Sequence, residues 1–191
     1  SRLSEKEVSS IVKKQNIKKS LDRKEIQEVV NSLKAFDYLR SGDFRLNQRT
    51  IIDLHSLLVK GLGVGVGYKK VEIVVNNKTT TAPGKVRTEM AHLINWFNAE
   101  KKTKRYPLMV FADFHQRFEK IHPFEDGNGR TGRLILNWML IKASFPPILF
   151  KKKNRESYFN ALAQADEGRK LKWHRHVAGV YKKTIRDFFA D

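Results

Sequence analysis

The chain has 191 residues, of which 40% are hydrophobic, so it is long enough to form one domain with a substantial core. It contains no cysteine, which excludes disulfides, thiolate zinc sites and cysteine nucleophiles, and which fits a cytoplasmic setting. The net charge of +18 favours nucleic acid, nucleotide or acidic protein partners, although lysines spread over most predicted helices are also typical of a soluble surface.

No apolar run approaches the roughly 20 residues that a membrane span needs, so we expect no membrane partner. The chain opens with no secretory signal pattern and starts at Ser1 rather than Met, as expected of a piece of a longer protein.

Helical periodicity marks the first sixty residues. Asp22 is expected to cap a helix that Gly42 stops, and Asn47 is expected to open a second helix that Gly61 ends. The positions that repeat at helical spacing are Ile26, Val29, Val30, Leu33 and Phe36 in the first helix and Ile51, Leu54, His55 and Leu58 in the second.

Residues 61–84 are rich in glycine and β-branched side chains. Within them, "VEIVVNNKTTT" predicts a β-hairpin that turns near Asn76–Asn77, and it is the one strand-like region of the sequence. Helical patterns resume at Val86, continue from Pro107 and run again to about Ser144, with two more helices predicted near 154–166 and 172–189. The sequence therefore predicts a mostly α-helical fold with one β-hairpin.

The stretch "HPFEDGNGRTGR", residues 122–133, concentrates reactive residue types before an apolar helix. Gly127 and Gly129 can adopt backbone angles closed to other residues, and successive amides there can form an anion-binding nest at a helix N-terminus. Arg130 and Arg133 then share one face of the helix, where cations oppose the helix dipole at a cost of up to about 1 kcal/mol each. A bound polyphosphate would compensate both charges, so we expect a phosphate site.

Two further residues of this stretch suit phosphoryl chemistry. Asp126 offers a hard oxygen ligand for Mg²⁺ on the phosphates, and His122 is a natural general base for an incoming hydroxyl. Asn128 is expected to position an acidic oxygen or the loop backbone. Taken singly, the histidine is more typical of a turn or core position and each arginine of a solvated surface. Their combination in this order favours a functional site.

These residues resemble the signature of the Fic family of nucleotidyltransferases, His-x-Phe-x-Asp/Glu-Gly-Asn-Gly-Arg-x-x-Arg, at every fixed position. Similarity extends over about residues 22–170. It includes "VEIVVNNKTTTAPGKVRTEMAHLINWFN" (the family's flap hairpin and next helix), "ADFHQRFEKIHPF" (the helix before the signature) and "RESYFNALAQADEG" (a segment at the adenine pocket). The resemblance implies a single all-α Fic domain over residues 1–191, with a flap at about 71–83.

Most members of this family transfer AMP from ATP to a Ser, Thr or Tyr hydroxyl of a protein and release pyrophosphate. The resemblance implies that His122 is the catalytic base and that Asp126 holds Mg²⁺. It also implies that Phe124 anchors the loop in the core. The remaining implied roles are phosphate binding by Gly127, Asn128, Gly129, Arg130 and Arg133, contact with adenine by Tyr158 and Asp166, and docking of the target by flap residues Ile73, Val74, Val75, Thr80 and Thr81 through strand addition.

Two departures from related patterns bear on activity. Doc-like kinases of the family carry Lys where this chain has Gly129, so Gly129 favours AMP transfer over transfer of the γ-phosphate. Lys69 stands where the family often has Arg, and we expect it to be a surface substitution.

Many relatives also carry an inhibitory helix, [Ser/Thr]-x-x-x-Glu-[Gly/Asn], whose Glu pairs with the second signature arginine. Here "SSIVKK" places Lys13 four residues after Ser9, whereas "RLSEKEVSSIV" resembles the segment that follows the inhibitory motif. We therefore expect that this chain contains no inhibitory Glu. An upstream segment or a separate partner is expected to supply that Glu.

The alternatives are a basic nucleic-acid-binding module and a non-catalytic Fic fold used for protein interaction. The first predicts aromatic residues interleaved with basic ones on a surface, but most aromatic residues here fall on apolar helix faces. The second is disfavoured by the intact signature. Removal of AMP from a modified protein is a further alternative, which in the family depends on the inhibitory Glu.

Overall fold

The computed structural model describes residues 5–13 and 21–190. Within these ranges the chain is mostly α-helical with one small antiparallel hairpin, as predicted. The elements are α1 (Glu5–Val12), α2 (Arg23–Arg40), α3 (Gln48–Val59), β1 (Val74–Val75), β2 (Lys78–Thr79), α4 (Val86–Glu100), α5 (Pro107–Ile121), α6 (Asn128–Lys142), α7 (Arg155–Asp166) and α8 (Lys170–Phe189), with single 3-10 turns at Pro83–Lys85 and Lys152–Asn154.

Two compact units are interleaved along the chain. The first combines the described residues up to Arg87 with Pro123–Thr131, and the second combines Thr88–His122 with the described residues from Gly132 onward. The chain therefore passes from the second unit to the first and back within the stretch 122–133.

In the first unit, α2 packs on α3. Asp22 caps α2 as predicted, its carboxylate accepting the Lys24 N–H at 2.7 Å. Leu33, one of the apolar positions that predicted this helix, is exposed, while Asn31, Ala35 and Leu39 form the deeply buried stripe. The polar Asn31 is buried because its amide donates to the carbonyls of Leu58 and Lys60 at the end of α3, at 3.1 and 2.8 Å.

Helix α3 begins where Asn47 predicted it. The Asn47 side chain accepts a hydrogen bond from the Thr50 N–H at 3.0 Å. The Thr50 hydroxyl in turn accepts one from the Asn47 N–H at 3.3 Å, which completes a capping box. Ile51, Leu54 and Leu58 are fully buried, as the periodicity indicated.

The predicted hairpin is present and turns at Asn76–Asn77. Both residues have positive φ, 50° and 61°, which matches a two-residue type I′ turn, the geometry for which asparagine is favoured. Val74 pairs with Thr79 and Val75 with Lys78, so each strand is only two residues long.

In the second unit, α5 packs against α7 and α8. Pro107 occupies the first position of α5, as expected, and Phe114 and Phe118 are fully buried. The indole N–H of Trp173 donates to the Ala112 carbonyl at 2.8 Å, which ties α8 to α5. Of the helices that the structure describes, none is both long enough and apolar enough to cross a membrane.

Candidate active site

His122 ends α5 in a backbone conformation that is uncommon for a residue with a side chain. Its φ and ψ are 52° and 63°, in the left-handed region, while its N–H still donates to the Phe118 carbonyl at 3.0 Å. Such conformations persist where the surroundings over-determine them, and they cluster at functional sites. The imidazole Nδ1 lies 3.4 Å from the Glu119 carbonyl oxygen, one turn back along α5.

The loop that follows in the first unit is held by a side-chain clamp. The Asn128 side chain accepts the Phe124 N–H at 2.9 Å and donates to the Phe124 carbonyl at 2.8 Å. Asn128 and Phe124 are both buried. Of the two roles expected for the Asn128 side chain, the structure shows the one that positions the loop backbone, and it confirms Phe124 as a core anchor.

His55 supports this loop from α3. Its ring stacks on Phe124 with centroids 3.7 Å apart, and its Nε2 lies 2.9 Å from the Asp126 carbonyl oxygen. Burial lowers the pKa of His55, so the neutral ring donates its Nε2 proton to that carbonyl. The sequence showed His55 only as a repeat position of a helix. Its place on the buried face, between Leu54 and Leu58, was the available signal of a role.

Gly127 makes the turn into α6. Its φ is +82°, and a Cβ at this position would lie 3.2 Å from Val59 and 3.4 Å from His55. The Gly127 carbonyl accepts both the N–H and the hydroxyl of Thr131 at 2.9 Å, which closes the first turn of the helix. Gly129, by contrast, lies inside α6, so of these two glycines only Gly127 uses a backbone angle that is unfavourable for other residues.

Asp126 and Arg130 lie together at the surface of the first unit. One carboxylate oxygen of Asp126 accepts the Gly127 N–H at 2.6 Å, and the other lies 3.3 Å from the Arg130 guanidinium. Arg130 is also 3.3 Å from the Glu28 carboxylate of α2, a partner that the sequence did not reveal.

The exposed carboxylate of Asp126 fits a magnesium ion that is shared with phosphates, because such ions typically take one or two protein carboxylates. In the described ranges, no group of three or more histidine or acidic side chains is arranged to hold a metal by itself.

Arg133 belongs to a buried polar cluster in the second unit. Burial raises the pKa of the Tyr158 hydroxyl and the nearby Arg133 charge opposes that shift, while the hydroxyl itself lies 2.8 Å from His115 Nε2. Glu119, one turn along α5, lies 3.9 Å from the same nitrogen. Burial and the Arg133 charge together lower the pKa of His115 to about 3, while burial raises the pKa of Glu119 to about 7 against the opposing effect of Arg133.

Tyr158 and Asp166, expected near adenine, both interact with α5. Tyr158 is buried beside His115, and Asp166 accepts a hydrogen bond from the Gln116 amide at 2.5 Å. Contact with adenine stays a prediction for both residues.

Lys69 is not a surface residue, so that expectation was wrong. The residue is 3% exposed, and its Nζ donates to the Thr80 hydroxyl at the base of the hairpin. The Lys69 N–H also donates to the Pro123 carbonyl at 2.9 Å. In the hairpin itself, Val74 is exposed, as a surface for docking requires, whereas Thr80 is turned inward to the Ile73 carbonyl.

Comparison with known proteins identifies the family of this chain. The chain belongs to the Fic/DOC family, whose family model matches residues 45–140, half of the chain. It is 30% identical over 172 residues to a protein adenylyltransferase Fic of Drosophila grimshawi, in an alignment that covers 87% of this chain and 35% of the relative. The chain thus spans about a third of the length of the curated relatives it matches.

Solved structures share the fold. Fic-1 of C. elegans (residues 134–508 of that protein) superposes with a TM-score of 0.87 at 22% identity, over 99% of this chain and 58% of that one. IbpAFic2 in complex with adenylylated Cdc42 superposes with a TM-score of 0.57 at 23% identity, over 78% of this chain and 59% of that one.

Proposed function

We propose that this chain transfers AMP from Mg-ATP to the hydroxyl of a Ser, Thr or Tyr side chain of a protein and releases pyrophosphate. The observation that carries the proposal is the ordered stretch from His122 to Arg133. In this stretch, helix α5 ends at His122, whose backbone is in the left-handed region, and helix α6 begins immediately after Gly127. Relatives named protein adenylyltransferase support the reaction, and the bound adenylylated Cdc42 of IbpAFic2 supports a protein as the acceptor.

In this mechanism, His122 removes the proton of the acceptor hydroxyl. The hydroxyl oxygen attacks the α-phosphorus of ATP, a new phosphorus–oxygen bond forms, and the bond to the bridging oxygen of the β-phosphate breaks. General base catalysis of this kind contributes about 10²–10⁴-fold to the rate. Magnesium held by Asp126 would neutralise charge on the phosphates when bound.

The first turn of α6 and the two arginines stabilise the leaving pyrophosphate. Amides at a helix N-terminus lack carbonyl partners within the helix, so those of Asn128 and Gly129 suit a phosphate oxygen. Gly127 already donates its N–H to Asp126 and contributes chiefly through its backbone turn. Arg130 and Arg133 supply the guanidinium groups for the β- and γ-phosphates.

The hairpin and the pocket residues complete the proposal. Flap residues Ile73, Val74, Val75, Thr80 and Thr81 dock an extended segment of the target by strand addition, a mode supported by the short, exposed strands. Tyr158 and Asp166 lie near the adenine. An inhibitory Glu would have to come from an upstream segment or a partner, and we infer that this chain, which lacks it, is not inhibited in cis. A sharp rise of activity when an added factor frees Arg133 would contradict this last point.

The test incubates the chain with a cell lysate, Mg²⁺ and ATP labelled at either the α- or the γ-phosphate. We expect label in protein only from α-labelled ATP. His122→Ala should abolish it, while His92→Ala, which removes an exposed histidine of α4, should retain it. Label from γ-labelled ATP would identify a kinase. No label from either nucleotide would favour the non-catalytic interaction module.

A further inference from the structure

Lys69 is a buried lysine, and lysines are rarely buried without a specific partner. Burial lowers the pKa of the Lys69 amine, and the nearby Glu72 only partly opposes this shift. An apolar residue would fill the same space without desolvating an ammonium group. The presence of an amine at this buried position therefore indicates that the hydrogen bond it donates has a structural role.

The contacts of Lys69 join two parts of the first unit. Its backbone N–H donates to the carbonyl of Pro123, the residue that directly follows His122 in the chain, at 2.9 Å. Its Nζ donates to the Thr80 hydroxyl. That hydroxyl donates in turn to the Ile73 carbonyl at 2.8 Å, and the Thr80 N–H donates to the same carbonyl at 3.1 Å. Lys69 thus connects the signature loop, through its own side chain, to Thr80 and Ile73, the two residues that flank the strands of the hairpin.

The residue before Lys69 is anchored as well. The Tyr68 hydroxyl donates to Gln48 at 2.9 Å, and its ring lies 5.9 Å from the ring of Phe124. The Lys69 backbone is therefore held on the loop side, and its long side chain spans the distance to the hairpin. Since the hairpin pairs through only two residues on each strand, it has little other regular structure to hold its base.

We propose that Lys69 is a positioning residue that holds the hairpin Ile73–Thr80 at a defined distance from Pro123, and so determines the affinity for the protein target but not for ATP. This inference rests on the proposed function for its catalytic consequence. Its structural part, the restraint of the hairpin, stands on the contacts of the first unit.

The structural part is tested by amide hydrogen exchange on the protein alone. Lys69→Met should speed exchange at the Thr80 amide at least tenfold, and Lys69→Arg should keep it within about threefold of the wild type, because Arg can still donate to the hydroxyl. Lys70→Met is the matched control, since Lys70 is the neighbouring exposed lysine. Thr80→Val removes the acceptor with little change of shape and should reproduce the effect of Lys69→Met. Adding it to Lys69→Met should then change little more.

The catalytic part uses transfer from α-labelled ATP, titrated once against total lysate protein and once against ATP. We expect Lys69→Met to raise the half-saturating lysate concentration about tenfold and to leave the KM for ATP within twofold. Unchanged Thr80 exchange in both Lys69→Met and Thr80→Val, or an equal rise of both half-saturating concentrations, would overturn the inference. If Lys69→Met does not fold, Thr80→Val decides in its place. A wild-type chain that transfers no α-label overturns the proposed function instead, and the exchange experiment still decides the restraint.

Discussion

The carboxyl group of Glu119 lies 3.9 Å from Nε2 of His115, and the buried environment shifts the pKa values of both groups toward their neutral forms. The pair faces Arg133 and the Tyr158 hydroxyl in the second unit. Glu119 is protonated at pH values where an exposed carboxyl is ionised, and His115 is neutral where an exposed histidine is charged. Burial beside Arg133 therefore favours the uncharged forms of both groups.

The first prediction concerns the pH dependence of stability. Because the pKa of Glu119 is raised to about 7, its contribution to folding is present below about pH 4.5 and is lost as the pH rises to about 7. His115 has the opposite dependence: its pKa is lowered to about 3, so its contribution is lost as the pH falls below about 6.5. Between about pH 4.5 and 6.5 the two effects oppose each other.

Glu119→Gln should remove one of these effects. Urea unfolding at several pH values should show that the wild type loses up to about 3 kcal/mol relative to Glu119→Gln between about pH 4.5 and 7, at about 1.4 kcal/mol per unit of pKa shift. A difference that does not vary with pH would show that Glu119 ionises normally in the folded protein.

The second prediction concerns the close approach of α6 to α5. A Cβ at Gly132 would lie 2.9 Å from a carboxylate oxygen of Glu119 and 3.1 Å from His115. Gly132→Ala should therefore destabilise the protein by about 1–3 kcal/mol, although Ala is the better helix former. Gly179 provides the control: it also lies inside a helix, but a Cβ there would meet no atom within 4 Å, so Gly179→Ala should stabilise by up to about 1 kcal/mol. Chemical denaturation should give opposite signs for the two variants, and equal signs would contradict the packing argument.

The third prediction separates the two contacts of His55. His55→Phe keeps an aromatic ring against Phe124 but leaves the Asp126 carbonyl without its donor, which costs about 1–3 kcal/mol. His55→Ala also removes the stacked ring and leaves a cavity, so it should be the less stable variant. If the hydrogen bond positions Asp126 for magnesium and phosphate, both variants should raise the KM for ATP. An unchanged KM in a folded His55→Phe variant would show that the stacked ring alone suffices.

The fourth prediction concerns Glu28, which lies 3.3 Å from Arg130. Under the proposed function, this carboxylate repels the phosphates that Arg130 binds, whereas Gln can still accept the hydrogen bond. Partly exposed ion pairs contribute about 0.2–1 kcal/mol, so Glu28→Gln should lower the KM for ATP by up to about fivefold at low salt. The effect should shrink at high salt. Asp37→Asn, an equal change of charge at an exposed position of α2, is the control and should leave the KM unchanged.

Local sequence chemistry was enough to predict most of the elements. Asp22 and Asn47 cap helices because their side chains accept amide protons of the first turn. The pair Asn76–Asn77 makes the hairpin turn because asparagine tolerates positive φ. The signature stretch was recognisable because its residue types and spacing are local properties, and Gly127 adopts the backbone that its residue type suggested.

The sequence by itself thus determined the helical architecture and the hairpin, since both depend on interactions between residues close in the chain. It also determined the family, because the signature is a local pattern of residue types. Only the tertiary structure decided that Lys69 is buried, that His55 and Glu28 contact the signature loop, and that Glu119 and His115 are buried together beside Gly132. These features depend on which distant side chains meet. Burial, which changes the free energy of a lysine or a carboxylate, is a property of the packed fold rather than of local sequence.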